Sequence, residues 1–298
     1  MATYTLGLDV GGTKIQAGLV NQQNRIIASK KFIINNHNKK TVLTDILASS
    51  GGLFTSQVRG IGIGITGQVK NKSGIVVSSP NLPADWHNVP LKQILEKRFR
   101  VPVHLDNDAN CVALAEAVVG EGKKYNTCLT ITIGTGIGAG LVINKKIYHG
   151  AQGIIEFGHT TIATGSPVCS CGRYGHFEAL VSGSAAVKIY KKITKQTKTP
   201  YQIEDEAAHN KKNALKVFQL MSCHLAIGLA NAIHSYNPDI IILGGGMSKV
   251  GLLINTAINS VNDKIIYPEL KKTKIVASKL KYQAGVIGAA IICSKQYR

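Results

Sequence analysis

The chain contains little acid relative to base, few aromatic side chains and no long apolar run. Asp and Glu number 16 against 35 Lys and Arg, and aromatic residues make up 6% of the 298 positions. No stretch of 18 apolar residues occurs, which predicts that there is no membrane-spanning helix. Strand-like sequence begins within five residues of Met1, which leaves no space for a leader peptide. We therefore expect a cytoplasmic protein with no membrane partner.

The net charge of +19 raises the question of nucleic-acid binding. The lysines, however, occur as scattered pairs such as Lys191–Lys192 and Lys271–Lys272, and no dense basic run with interleaved aromatic residues is present. We interpret the excess charge as a solvated surface that also attracts anionic substrates, and we expect no nucleic-acid partner.

Two common nucleotide-binding motifs are also missing, namely G-x-x-x-x-G-K-[ST] and a strand followed by G-x-G-x-x-G. Instead, a glycine-rich strand–turn–strand pattern occurs twice, over Leu6–Val20 and again over Leu129–Val142. One such turn is as often structural as functional, but its repetition indicates two similar halves. Glycine turns admit anions to backbone N–H groups because no Cβ intervenes. The pair of turns predicts a clamp on the phosphates of ATP.

A chain of this length accommodates two domains, each with its own core. Strands, hairpins and helices recur in both halves, which predicts a two-domain α/β protein with a cleft between the lobes. We assign residues 1–118 and 285–298 to an N-terminal lobe, because the small, apolar last helix is expected to pack back on it. Residues 119–284 form the predicted C-terminal lobe.

Asp108 is the candidate general base. It follows the predicted strand Val103–Asp106 at the start of a helix, and Asn107 and Asn110 flank it with groups suited to a polyol. Phosphoryl transfer needs a residue that accepts the proton of the attacking hydroxyl. The alternative is that Asp108 is only a helix N-cap, a position where aspartate is common.

Three further polar residues, Glu156, His159 and Glu178, lie in a segment where no core requires them. Carboxylates and imidazoles at turns hydrogen-bond sugar hydroxyls, and a site built from them rejects analogues that lack those hydroxyls. Taken singly, each residue could equally be an ordinary surface group.

The segment from Cys169 to His176 reads Cys-Ser-Cys-Gly-Arg-Tyr-Gly-His. Its glycines let Cys169, Cys171 and His176 converge, and His159 could complete a Cys2His2 set for zinc. Because Cys-x-Cys is a weaker signal than a doubled Cys-x-x-Cys, the spacing leaves both a zinc site and no site open. The four remaining cysteines occur singly in apolar surroundings and are expected to be packing residues.

The motifs together resemble one family. Asp-x-Gly-Gly-Thr-Lys from Asp9, Asn-Asp-Ala-Asn from Asn107, Gly-Thr-Gly-x-Gly from Gly134, Glu-x-Gly-His from Glu156 and Cys-x-Cys-Gly-x-x-Gly-x-x-Glu from Cys169 occur in the order typical of it. Over essentially its whole length the chain resembles the ROK (repressor, open reading frame, kinase) family of bacterial sugar kinases.

This resemblance implies an actin-like ATPase (ribonuclease H-like) fold, ATP with Mg²⁺, and phosphorylation of a hexose at its 6-hydroxyl by a homodimer. It implies that Asp108 is the catalytic base and that zinc is held by His159, Cys169, Cys171 and the position of His176. The implied sugar ligands are Asn107, Glu156, His159 and Glu178. The implied nucleotide-binding residues are Asp9, Gly11, Gly12, Thr13 and Lys14 in the first phosphate loop, Gly134, Thr135, Gly136 and Gly138 in the second, and Gly244, Gly245 and Gly246 near the adenosine.

His176 departs from the family pattern, which usually has a third cysteine there. Imidazole is a competent zinc ligand, so we expect a retained structural zinc with altered geometry.

Several functions fit the resemblance. A hexokinase of glucokinase type comes first, with an N-acetylhexosamine kinase acting on N-acetylmannosamine or N-acetylglucosamine, or a fructokinase or allokinase, as alternatives. A sugar-responsive repressor or sensor without catalysis is the alternative from another class. We expect it less, because the phosphate loop begins at Leu6, ahead of which there is no space for a DNA-binding domain, and because Asp108 is retained.

Overall fold

The computed structural model describes residues 3–35, 37–165 and 167–294. In chain order its strands are β1 (Tyr4–Val10), β2 (Lys14–Val20), β3 (Ile26–Ile33), β4 (Val58–Ile65), β5 (Gln68–Lys70), β6 (Ile75–Ser78), β7 (Val103–Asn107), β8 (Thr127–Ile133), β9 (Ile137–Ile143), β10 (Lys146–Ile147), β11 (Ile240–Gly244) and β12 (Lys274–Ala277). Its α-helices are α1 (Lys39–Gly51), α2 (Leu91–Phe99), α3 (Asp108–Val118), α4 (Phe177–Val181), α5 (Gly183–Thr194), α6 (Pro200–Ala208), α7 (Lys212–Tyr236), α8 (Gly251–Val261) and α9 (Gln283–Cys293).

Two five-stranded sheets repeat one topology. The first has the order β3-β2-β1-β4-β7 and the second has the order β10-β9-β8-β11-β12. In the first, β1 pairs antiparallel with β2 and parallel with β4, and β4 pairs parallel with β7. In the second, β11 pairs parallel with both β8 and β12. The internal duplication predicted from the two glycine-rich hairpins is confirmed.

Contacts divide the chain into two compact units. The first unit holds residues up to Asn126, Gly140–Ile155 and the chain from Lys279 onward, and the second holds Thr127–Ala139 and Glu156–Ser278.

The core of the first unit is formed by the branched apolar side chains that alternate along its strands. Leu6, Leu8, Ile61 and Ile63 are fully buried, as is Trp86, the only tryptophan of the chain. Alternation with a period of two is what a sheet covered by helices requires.

The C-terminal helix α9 packs against β1, β4 and α3 in the first unit, as its small, apolar sequence predicts. The approach is close enough that a Cβ on Gly62 would overlap the backbone carbonyl of Ala289. Gly62, in the middle of β4, therefore allows α9 to cross the sheet with the two backbones in contact.

In the second unit the long helix α7 is central and contacts α4, α5, α6 and α8. It is apolar and long enough to cross a membrane by composition, but 61% of its most apolar window is buried within the protein, as in the core helices of soluble proteins. Sequence reasoning predicts one helix over 205–235, which is wrong. The chain forms α6 and α7 with a break between them, where Asn210 adopts a positive φ of 58° that ends the helical run.

Candidate active site

The first predicted phosphate loop is the turn between β1 and β2. The amide N–H of Gly11 donates to the carbonyl of Lys14 (3.1 Å), which closes the turn, while the side chains of Thr13 and Lys14 are exposed. Gly12 is half-buried at the tip of the turn. A hydroxyl and an ammonium group on an exposed glycine turn can both contact an anion.

Asp9 ends up next to this turn because it is the last-but-one residue of β1. Its side chain packs beneath α9, where any Cβ on Gly285 would overlap the carboxylate. Burial first, and the nearby negative charge of Asp108 second, raise the pKa of Asp9 to about 7, against the lowering effect of Lys14. The carboxylates of Asp9 and Asp108 therefore lie close enough to repel each other, and the positive charge of Lys14 offsets this only in part.

The raised pKa makes a prediction about stability. Folded Asp9 holds a proton up to about pH 7, whereas the unfolded chain releases it near 3.8, so its contribution to the free energy of unfolding falls as pH rises between these values. Each pKa unit corresponds to about 1.4 kcal/mol, so the total is a few kcal/mol. We expect Asp9→Asn to stabilise the ligand-free protein at pH 8 by more than at pH 4.5, measured by denaturant unfolding. An equal effect at both pH values would contradict the assignment.

Asn107 and Asp108 lie where β7 ends and α3 begins. Asn107 is the helix N-cap, since its Oδ1 accepts from the amides of Ala109 (2.9 Å) and Asn110 (3.3 Å), and its Nδ2 donates to the carbonyl of Gly67 (3.0 Å). Asp108 is the first helical residue, and its Oδ1 accepts from the amide of Ala109 at 2.9 Å. The capping role that could have explained Asp108 is thus filled by its neighbour.

Sequence reasoning misses Asp106 and His149 in the same unit. Asp106 is 3% exposed, and its Oδ2 lies 2.7 Å from Nε2 of His149. That hydrogen bond raises the pKa of His149 above its usual value, although partial burial opposes it. The sequence did carry a signal that could have identified Asp106, namely a carboxylate at the end of a buried strand and directly before an Asn-Asp pair. The chain offers no local signal for His149, which is 43 residues away.

The second predicted phosphate loop, Gly134–Gly138, is closed in a similar way by a hydrogen bond from the amide of Gly134 to the carbonyl of Gly136 (2.9 Å). The first amide of α5, that of Gly183, donates to the carbonyl of Gly134 (2.8 Å) and fixes the loop from behind. Thr135 accepts through its carbonyl from Ser184 (3.3 Å).

Glu178 joins this loop to the cysteine segment. Its Oε2 accepts from the amide of Ile137 (2.9 Å), and its Oε1 accepts from the hydroxyl of Ser170 (2.9 Å). The carboxylate predicted to bind sugar is therefore already hydrogen-bonded on both oxygens within its own unit. The predicted adenosine residues Gly244, Gly245 and Gly246 lie where β11 ends, with Gly245 and Gly246 exposed.

His159, Cys169, Cys171 and His176 converge, with their four ligand atoms all within 4.8 Å of one another. Nδ1 of His159 lies 3.3 Å from Nδ1 of His176 and 3.6 Å from Sγ of Cys169, and Sγ of Cys171 lies 3.2 Å from Nδ1 of His176. Zinc bonds of about 2.0–2.1 Å to nitrogen and about 2.3 Å to sulfur put the ligand atoms of a tetrahedron roughly 3.3–3.8 Å apart. The donor set suits a tetrahedral zinc ion, and the three distances of 3.2, 3.3 and 3.6 Å are close to this spacing.

The other ring nitrogen of His159 faces Glu156, with Nε2 and Oε2 separated by 3.8 Å. His159 therefore presents Nδ1 to the cysteines and Nε2 to a half-exposed carboxylate. At 3.8 Å the contact with Glu156 is too long for a hydrogen bond, so the close contacts of His159 are those of Nδ1.

The repeated sheets, each led by a glycine-turn hairpin, define an actin-like ATPase fold. The ROK family model matches residues 5–296. The chain is 34% identical to a glucokinase of Thermotoga maritima over 98% of its length and 97% of the relative's. It is 32% identical to a xylose repressor of Caldicellulosiruptor bescii, covering 95% of this chain and 76% of the repressor.

Among solved structures, a ROK family glucokinase from Streptomyces griseus in complex with glucose and AMPPNP superposes with a TM-score of 0.86 at 30% identity, covering 97% of this chain and 99% of the other. The chain belongs to the ROK family, as its resemblance predicted. Its likeness to the glucokinases, which extends over nearly the full length of both proteins, identifies it as a sugar kinase of that family.

Proposed function

We propose that this sugar kinase transfers the γ-phosphate of ATP to the 6-hydroxyl of a hexose, with glucose as the preferred acceptor. The observation that carries the proposal is Asp108, an acidic side chain at the first position of a helix whose capping is performed by Asn107. A carboxylate at the start of a helix, beside a glycine-rich anion turn, is suited to accept the proton of an attacking hydroxyl. The likeness to a glucokinase in complex with glucose and AMPPNP supports glucose and ATP.

The nucleotide assignments follow the two hairpins. Asp9, Gly11, Gly12, Thr13 and Lys14 would contact the phosphates from the N-terminal lobe (1–118 with 285–298), and the carboxylate of Asp9 is a ligand type that suits the Mg²⁺ that accompanies ATP. From the C-terminal lobe (119–284), the second phosphate loop is assigned to Gly134, Thr135, Gly136 and Gly138, and the adenosine loop to Gly244, Gly245 and Gly246.

The sugar would be held by Asn107, Glu156, His159 and Glu178. Asn107 uses its Oδ1 and one Nδ2 hydrogen within the fold, which leaves the second Nδ2 hydrogen as a donor. Glu156 is more than half exposed, so its carboxylate can accept from hydroxyls. Glu178 would have to exchange one of its present hydrogen bonds for a sugar hydroxyl.

We also propose that His159, Cys169, Cys171 and His176 hold a structural zinc ion. Bound zinc would supply no step of the transfer and would instead rigidify the segment that carries Glu156 and Glu178. Two thiolates and two neutral imidazoles balance the charge of the ion, which favours its burial.

Other functions remain candidates within the same fold. An N-acetylhexosamine kinase or a fructokinase would use the same base and differ in the room around the sugar. A sugar-responsive repressor is favoured by one observation, the 32% identity to a xylose repressor. A cytoplasmic location and a homodimer complete the proposal.

ATP consumption against glucose, mannose, fructose, allose, N-acetylglucosamine and N-acetylmannosamine tests the function. We expect glucose to give the largest kcat/KM. A strong preference for an N-acetylated sugar would replace glucokinase with the N-acetylhexosamine alternative. Silence across the panel, together with sequence-specific binding of operator-length DNA at physiological salt, would favour the repressor.

A further inference from the structure

Asp106 and His149 have no role in the function proposed above, yet His149 forms a close hydrogen bond to the buried carboxylate of Asp106. Asp106 is 3% exposed, and its carboxylate has three close partners. Oδ2 meets Nε2 of His149 (2.7 Å), while Oδ1 accepts from the backbone amide of Asn107 and from Nδ2 of Asn110, both at 2.8 Å. An ion pair at a buried site is weak evidence for stability, because desolvation offsets the attraction. The position of the Asp106–His149 pair in the fold is therefore more informative about its role than its contribution to stability.

Two of the three partners of Asp106 lie on either side of Asp108 in the sequence. Asn107 precedes the proposed base and caps α3, and Asn110 lies in the first turn of the same helix. Asn110 also donates to the carbonyl of Gly153 at 2.9 Å. The Asp106 carboxylate thus hydrogen-bonds two residues at the start of α3. The 149–153 segment adds one contact from each of its ends, from His149 to Asp106 and from the carbonyl of Gly153 to Asn110.

His149 fixes the orientation of that carboxylate. At 2.7 Å from a carboxylate oxygen, Nε2 must carry the proton and donate it. Nδ2 of Asn71 lies 3.2 Å from the same nitrogen, which carries a proton and so accepts no hydrogen bond from it, and Nδ2 donates to the carbonyl of Leu105 (3.4 Å).

We propose that His149 and Asp106 act as a positioning pair that sets the first turn of α3, and with it the Asp108 carboxylate, for proton transfer. The inference rests on the proposed function for its catalytic consequence. Neither residue touches the reacting atoms in this account. Their effect passes through the Asp106 hydrogen bonds to Asn107 and Asn110, and small misplacements of a catalytic group cost on the order of a hundredfold in rate.

The test compares two amide replacements of His149. In His149→Gln the side-chain amide can occupy the place of Nε2 and donate to Asp106, whereas in His149→Asn it is one carbon too short. Both variants remove the imidazole, so any difference between them isolates the hydrogen bond. His87→Asn, at an exposed histidine of the same unit, is the matched control.

We expect His149→Asn to lower kcat about 10- to 100-fold, with the KM for ATP unchanged, and His149→Gln to recover most of the loss. Thermal unfolding should give similar midpoints for the two variants. Equal kcat values for His149→Asn and His149→Gln, or wild-type kcat in His149→Asn, would overturn the proposal.

A second readout does not depend on activity. Hydrogen exchange at the amides of Ala109 and Asn110 should be faster in His149→Asn than in the wild type, and near normal in His149→Gln, because the first turn loosens only when the hydrogen bond is lost. If the wild type phosphorylates no sugar, the proposed function fails, but this exchange pattern still decides whether the pair positions α3. Unchanged exchange in His149→Asn would refute the pair directly.

Discussion

Replacement of Asp108 by asparagine is expected to reduce kcat by about three orders of magnitude. The amide cannot accept the proton of the attacking hydroxyl, and general base catalysis contributes roughly 10²- to 10⁴-fold. Asparagine has nearly the shape of aspartate, and the N-cap of α3 belongs to Asn107, so the helix should form as before. The variant should therefore bind sugar and ATP while failing to turn them over.

The measurement is a pair of assays on the same preparation. Steady-state kinetics should show the loss in kcat, and equilibrium binding should give sugar and ATP affinities within a few-fold of the wild type. Asp263→Asn, at an exposed aspartate of the second unit, provides the control for introducing an amide. Retention of more than a tenth of wild-type turnover would remove Asp108 from the role of base. A loss of binding equal to the loss of turnover would indicate a sugar ligand instead.

Local sequence signals were sufficient for the duplicated hairpins. Alternating β-branched residues and glycine turns determine β1–β2 and β8–β9, because strand pairing across a short turn depends only on neighbours in the chain. The repeated glycines of β4 indicate, from the sequence alone, a strand that another backbone approaches closely. Which element approaches was not predictable locally, since α9 reaches Gly62 from more than 200 residues away in sequence.

The residue types of the site were predictable from the sequence, whereas the hydrogen bonds and contacts between these residues were less so. Asp108 was identified as a base candidate, but only the structure assigns the cap to Asn107, because the two adjacent residues are equally good caps by type. The Asp106–His149 contact joins the end of a strand to a loop 43 residues later, and its geometry depends on the sheet. His159 was a possible fourth ligand by residue type and an implied one by the family resemblance, and the approach of its Nδ1 to the cysteine segment required coordinates.

Removal of His176 is expected to have the second-largest effect, on zinc content and on stability. Purified wild-type protein should contain one zinc ion per chain, because four suitable ligand atoms already lie within 4.8 Å of one another. Loss of a residue that only orients a metal ligand weakens binding about 10- to 100-fold, and loss of a ligand itself should exceed this. We expect His176→Ala to be purified with little zinc and to have a melting temperature on the order of 10 °C lower, because a loss of about 3–5 kcal/mol in the free energy of unfolding produces that shift at about 2–4 °C per kcal/mol.

His176→Cys provides the sharpest comparison, because it restores the third cysteine typical of the family while keeping four ligands. It should retain zinc, and the visible spectrum of the Co²⁺-substituted protein should change in the way expected for an added thiolate in a tetrahedral site. Cys223→Ser, at an exposed cysteine outside the cluster, should leave zinc content and melting temperature unchanged. Wild-type protein without zinc, or His176→Ala with a full zinc complement, would show that the imidazole of His176 is not a ligand. The convergence of Cys171 and His176 would then be packing alone.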